Sequence, residues 1–226
     1  MDRLEDVQLG EELADAMLAM AATDMQVDFV RDVLSSPPAA LPWQIGEALA
    51  ESLLAADHSA VWPWNSTRDR KTPKASLPGA DIVGLSIETE TAVFLFGEVK
   101  SSEDGNAPPG VMHGRSGMIH QLEALATNLD IQFALLTWLF ARCKDTEFEA
   151  WYLEALNEYV SSAGQRIRLV GCLMRGATPV NSADLEARGL ALSATLASVT
   201  SVNLYAWYLD GSCGQWPTWL ENEDHA

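Results

Sequence analysis

Cysteine is scarce in this chain and poorly placed for cross-linking. The 226 residues include three (Cys143, Cys172 and Cys213), an odd number with no Cys-x-x-Cys spacing. That argues against a disulfide framework and a zinc ribbon, and fits a reducing cytoplasm. Long apolar runs are missing as well. None reaches the roughly 20 residues that a membrane span needs, and the opening Met-Asp-Arg-Leu-Glu-Asp is too acidic for a secretion signal. Four histidines are present, with His113 and His120 seven apart and no His-x-x-x-His or His-Glu-x-x-His set. A Walker-type glycine loop and a Gly-x-Ser-x-Gly elbow are absent. The largest shortage is of positive charge: 14 Lys and Arg stand against 32 Asp and Glu, a net of −18. A surface of that sign repels phosphate backbones.

The deficit is uneven. Residues 1–60 carry two bases and twelve acids, and residues 121–226 carry six and thirteen. Residues 61–120 are close to balance, with six bases and seven acids. Four of those bases (Arg68, Arg70, Lys71 and Lys74) precede Asp81 and form a candidate contact for nucleic acid, or else an ordinary solvated loop. At 48% hydrophobic residues, the chain can bury one substantial core.

Periodicity predicts a helical segment over 4–34, within an N-terminal region 1–40, closed by Ser35-Ser36-Pro37-Pro38. A second helix is expected over 41–57, with Ile45, Leu49, Leu53 and Ala56 on its buried face. Val61-Trp62-Pro63-Trp64 reads as a short edge strand, because proline excludes a central one. Two strand runs, 81–87 and 92–100, are joined by a short polar link suited to a hairpin. Residues 92–96 are apolar at every position, as in a strand covered on both faces. The Gly-, Pro- and Ser-rich stretch 101–117 is expected to be a mobile loop. Helices at 118–129, 131–143 and 146–162 follow, then a strand at 167–174, a helix at 182–197 and a strand at 202–209. The order predicts an α/β domain over 41–226, a mixed central sheet flanked by helices.

The chemistry concentrates in the hairpin. Asp81 opens one run after Pro78-Gly79-Ala80, and Phe96-Gly97-Glu98-Val99-Lys100 ends the next. Side chains at i and i+2 of a strand share a face, so Glu98 and Lys100 project together where an apolar strand leaves the core. Buried charge of that kind needs a partner or a metal. Two carboxylates supply hard oxygen ligands for Mg²⁺ or Mn²⁺, and an ammonium beside them can stabilise charge on a phosphate. A strand end meeting solvent is the plainer reading of Glu98 and Lys100 alone. Trp62 and Trp64, next to the basic segment, could stack on a splayed base, although packing is the commoner use.

In these residues the chain resembles the PD-(D/E)XK nuclease superfamily: an acid opening a strand, Asp or Glu-x-Lys on the next strand, and a glutamate on a preceding helix. Asp81, Glu98 and Lys100 match that motif, although Pro78-Gly79-Ala80 replaces the usual Pro-Asp. The resemblance covers about residues 41–125 and implies a restriction-endonuclease-like core, Mg²⁺ or Mn²⁺, and a DNA substrate. It also implies a helical glutamate, for which Glu47 is the first choice and Glu51 the spare, and a site glutamine at Gln121. More narrowly, Ile45-Gly46-Glu47-Ala48-Leu49-Ala50-Glu51 taken with the hairpin is similar to the nuclease subunit of the Hachiman anti-phage system. That likeness implies a companion helicase as protein partner and a nuclease held in check until foreign or damaged DNA is sensed. Two readings compete: a non-catalytic acidic subunit that keeps the fold and binds a partner, and a DNA-mimic inhibitor.

Overall fold

A computed structural model describes residues 11–34, 41–64, 79–88 and 91–218. The basic cluster Arg68, Arg70, Lys71 and Lys74 lies outside the described residues, as do residues 1–10 of the first helical segment. Within 11–34 the expected single helix is two, α1 (Glu11–Met20) and α2 (Asp24–Leu34). The break has a local cause. Gln26 Oε1 accepts the Ala22 and Thr23 N–H groups, and Thr23 Oγ1 accepts the Gln26 N–H at 3.3 Å. These bonds satisfy donors that a new helix start leaves open.

Helix α3 (Pro42–Asp57) starts with proline at its first position, where no amide donor is needed. The Gln44 side chain returns to the Leu41 N–H at 2.9 Å. The chain then forms β1 (Ala60–Val61), β2 (Ile82–Glu88) and β3 (Thr91–Ser102). Next come α4 (Met118–Thr127), α5 (Leu129–Cys143), α6 (Glu149–Ser161), β4 (Ile167–Gly176), α7 (Glu186–Thr195) and β5 (Ser201–Leu209). Asn128 caps α5 by accepting the Asp130 and Ile131 N–H groups, and α4 and α5 diverge there by 82°. Among the described residues no single helix is long and apolar enough to cross a membrane.

The five strands lie in sequence order in one mixed sheet. β1–β2 and β2–β3 are antiparallel, while β3–β4 and β4–β5 are parallel. This is the α/β architecture expected from the order of elements. The edge strand stops at Val61, two residues before Pro63.

Side-chain alternation divides the interior into two cores. On one face Val83, Leu85, Phe94, Phe96, Leu169 and Leu173 pack against α4, α5, α6 and α7. On the other, Ile82, Leu95, Val99, Val170, Cys172 and Met174 pack against α3 and Trp216. β3 is therefore covered on both faces, which explains its unbroken apolar run. Helix α3 approaches closely because Gly46 faces β3; a Cβ there would meet Ser101 Oγ at 2.7 Å.

The segment after β3 is tied down. Asp104 accepts the Asn106 and Gly110 N–H groups, each at 2.9 Å, and Met112 is fully buried. Arg175 reaches the carbonyls of Ser102 and Asn106 and pairs with buried Asp184 at 3.1 Å. A mobile loop is thus not what its composition delivers: two carboxylates and one guanidinium supply the contacts that glycine and proline do not.

Candidate active site

The hairpin register decides where the acids fall. The paired register ends at Ile82–Gly97, and Asp81, just beyond it, lies close enough to Glu98 for their carboxyls to hydrogen-bond. Asp81 is fixed from both ends. Its N–H donates to the Gly97 carbonyl at 3.1 Å, and its Oδ2 accepts the Val99 N–H at 3.0 Å. Just before it, Gly79 adopts φ +81°, a left-handed conformation that side chains disfavour, and a Cβ there would meet Ile131 Cγ2 at 2.9 Å. Glycine is what lets the chain turn into β2 at that point.

Glu98 is 3% exposed and Lys100 sits beside it, its Nζ donating to Glu98 Oε1. Asp81 and the Lys100 side chain are half-buried, so Glu98 forms the floor of a site that opens to solvent through its two neighbours. Burial pushes the Glu98 carboxyl up to about 8, and the Asp81 charge and their mutual hydrogen bond push the same way. Lys100 opposes the shift without cancelling it. Two carboxyls that share a proton in this way are also positioned to share a divalent cation, which replaces the proton. The donor set matches the hard-oxygen preference of Mg²⁺ or Mn²⁺, with two carboxyl groups side by side.

The helical carboxylate differs from expectation. Helix α3 buries Glu51 to 2% exposure, whereas Glu47, one turn earlier, is half-buried. Glu51 and Asp81 both push up the thiol of buried Cys172 on β4, after burial itself, so their charges converge on one neighbourhood. Among the described residues, no group of three or more His, Cys, Asp or Glu gathers closely enough to hold a metal. The expected trio with Glu47 is thus a pair, Asp81 and Glu98, with Glu51 as the buried acid behind it. The reason lies in the packing of α3. The helix packs on the sheet through Ile45, Gly46, Ala50 and Leu54, while Leu49 and Leu53 are only partly covered. Reading Leu49 and Leu53 as core turned the expected buried face away from Glu51.

Gln121 stands on α4, the helix carrying the core residues Met118, Leu122 and Leu125. Its Oε1 is buried and accepts no hydrogen bond among the described residues. A buried orphaned acceptor is costly, on the order of 1–3 kcal/mol, unless something else satisfies it.

No family model matches this chain, and no curated protein is significantly similar to it. The functional reading therefore rests on geometry.

Trp62 and Trp64 pack against the fold. Trp64 is buried, donates to the Val83 carbonyl at 2.6 Å and meets Trp138 edge-on at 5.4 Å. Trp62 covers Gly84 and donates to the Glu51 carbonyl at 3.2 Å. Both indoles are committed to packing, not offered for base stacking. Sequence reasoning missed the second buried charge system, Arg175 with Asp184, because its members come from different elements with no local pattern.

Proposed function

We propose that the chain is a metal-dependent nuclease that hydrolyses phosphodiester bonds of DNA at Asp81, Glu98 and Lys100. The observation carrying this reading is the contact between the Asp81 and Glu98 carboxyls, with the Lys100 ammonium on the Glu98 strand face two residues on. A protein with no use for these charges gains nothing from burying a carboxyl against another acid.

In this reading Asp81 and Glu98 hold the cation, and the rigid β2–β3 ladder fixes their separation. When bound, Mg²⁺ supplies Lewis-acid polarisation of the phosphate and a more acidic water. Lys100 faces the developing negative charge and orients the attacking water. Gln121 offers its unsatisfied carbonyl as a further acceptor near that water or the substrate. Glu51, buried behind the pair, keeps the local field negative and favours cation uptake.

The chain's acidity supports the wider reading, a nuclease that is the effector of a bacterial anti-phage complex with a helicase as partner. A protein at −18 opposes free DNA. A cationic partner covering residues 1–60, where the acids outnumber bases twelve to two, would lift that opposition. The same acidity favours the second reading, a partner-binding subunit without catalysis.

Plasmid cleavage separates them. Purified protein with Mg²⁺, alone and with EDTA, is compared with Glu98→Ala and Lys100→Ala. Metal-dependent cutting that drops at least about 100-fold in both variants supports the nuclease, matching the size of a lost transition-state contact. Cutting retained by both variants would remove these residues from the chemistry.

A further inference from the structure

A second site lies on the face of the sheet occupied by α4 and α7. The tight turn 113–117 closes with the Gly117 N–H donating to the Gly114 carbonyl at 3.0 Å, and a Cβ on Gly117 would meet the His113 carbonyl oxygen at 2.2 Å. That turn, the first two turns of α4 and Arg188 of α7 border an open hollow of about 460 Å³. Exposed Arg115, Arg188, His113 and His120 line it together with the apolar Met112 and Ile119. Its one carboxylate, Glu123, is held by His120 at 3.9 Å.

Two features distinguish this cavity from an ordinary surface hollow. The first is its sign: two guanidiniums against one carboxylate, in a chain with more than twice as many acids as bases. The second is that Arg115 and Arg188 lack an ion-pair or hydrogen-bond partner among the described residues. Arg31, Arg166 and Arg175 instead bind carboxylates, and Lys100 binds Glu98. Arginines left without an acid in an acidic protein are available to an anion from outside. The paired donors of a guanidinium match phosphate oxygens.

The location adds direction. The cavity borders α4, the helix that carries Gln121 on another of its faces. The segment forming its lip continues from β3, the strand of Glu98 and Lys100. We propose that the cavity seats a backbone phosphate of the nucleic-acid strand, flanking the one cleaved at Asp81 and Glu98. The proposal rests on the nuclease reading and adds where the strand is gripped. Arg115 and Arg188 clamp the phosphate, and His113 and His120 donate from the rim. The contact is sequence-independent and positions the strand. It also concentrates the chain's limited positive charge along the path of the substrate, leaving the acidic remainder to oppose binding elsewhere.

The test uses full-length Glu98→Gln protein, to prevent cutting, and a short fluorescein-labelled DNA duplex followed by anisotropy at several salt concentrations. Arg115→Ala and Arg188→Ala in that background are each expected to weaken binding about 3- to 10-fold and to lower the log–log salt slope by about one. Lys144→Ala, an exposed cation outside the cavity, should change neither. In the active protein, the arginine variants should raise KM with kcat nearly unchanged, as loss of uniform binding does. Tight duplex binding unaltered by both substitutions would overturn the proposal while leaving cleavage at Glu98 intact. Inorganic phosphate that displaces the duplex stoichiometrically, without effect of chain length, would assign the cavity to a free anion and overturn it as well. Absence of any duplex binding would overturn it too, and the plasmid assay decides separately whether the nuclease reading falls with it.

Discussion

Replacing Glu98 with glutamine should stabilise the metal-free protein while destroying its response to metal. In the wild type, burial and the Asp81 charge raise the Glu98 carboxyl from 4.5 to about 8. The sign follows from linkage: the folded state binds this proton more tightly than the unfolded chain. The stabilisation it brings is complete below the ordinary carboxylate range and is lost as pH rises through about 8. At about 1.4 kcal/mol per pH unit, ionising Glu98 should cost on the order of 2–4 kcal/mol between about pH 5 and 9. For a chain of this size that is a fall in Tm of roughly 5–12 °C. Glutamine keeps the shape and cannot ionise, so the variant should melt above the wild type at the alkaline end and match it at the acid end. Mg²⁺ must displace the proton, so its stabilisation of the wild type should grow with pH and be absent in Glu98→Gln. Thermal melts across the range, with and without Mg²⁺, read both effects. Parallel melting of the two proteins at every pH, with the same response to Mg²⁺, would refute the reasoning.

Two further outcomes follow from neighbouring contacts. Gly79→Ala, at φ +81° with Ile131 Cγ2 in the way, should lose about 1–2 kcal/mol in urea unfolding. It should lose proportionally more cleavage, because the turn aims Asp81. Asp184→Asn leaves Arg175 buried without its counter-charge and takes an acceptor from the Tyr208 hydroxyl, 2.9 Å away. That should cost about 3–5 kcal/mol, whereas Glu158→Gln, at the half-exposed pair with Arg166, should cost under about 1 kcal/mol.

The hairpin was legible because its signals are local. Apolar runs marked β2 and β3, and a short link between them leaves few registers. Pairing of Glu88 with Thr91 fixes the one that ends at Ile82 and Gly97 and so brings Asp81 beside Glu98. The shared face of Glu98 and Lys100 follows from the two-residue period of a strand. Helix α3 was harder. Its buried side runs through Ile45, Ala50 and Leu54, whereas Leu49 and Leu53 are partly covered and Ala56 is exposed, so the apolar spacing misplaced the buried face and favoured Glu47 over Glu51. The cavity beside α4 was illegible, since Arg115 and Arg188 lie on separate elements brought together only by the packing of α7 near α4. The ordering of residues 103–112 was hidden for the same reason: Arg175 comes from β4.

Binding of Mn²⁺, followed by electron paramagnetic resonance of the free ion, tests the central claim most directly. The wild type should remove Mn²⁺ from solution, with Mg²⁺ competing, and both Asp81→Asn and Glu98→Gln should abolish the uptake while remaining folded. Uptake undiminished in both variants, or none by a wild type that still cuts DNA, would contradict a cation site at the Asp81–Glu98 pair.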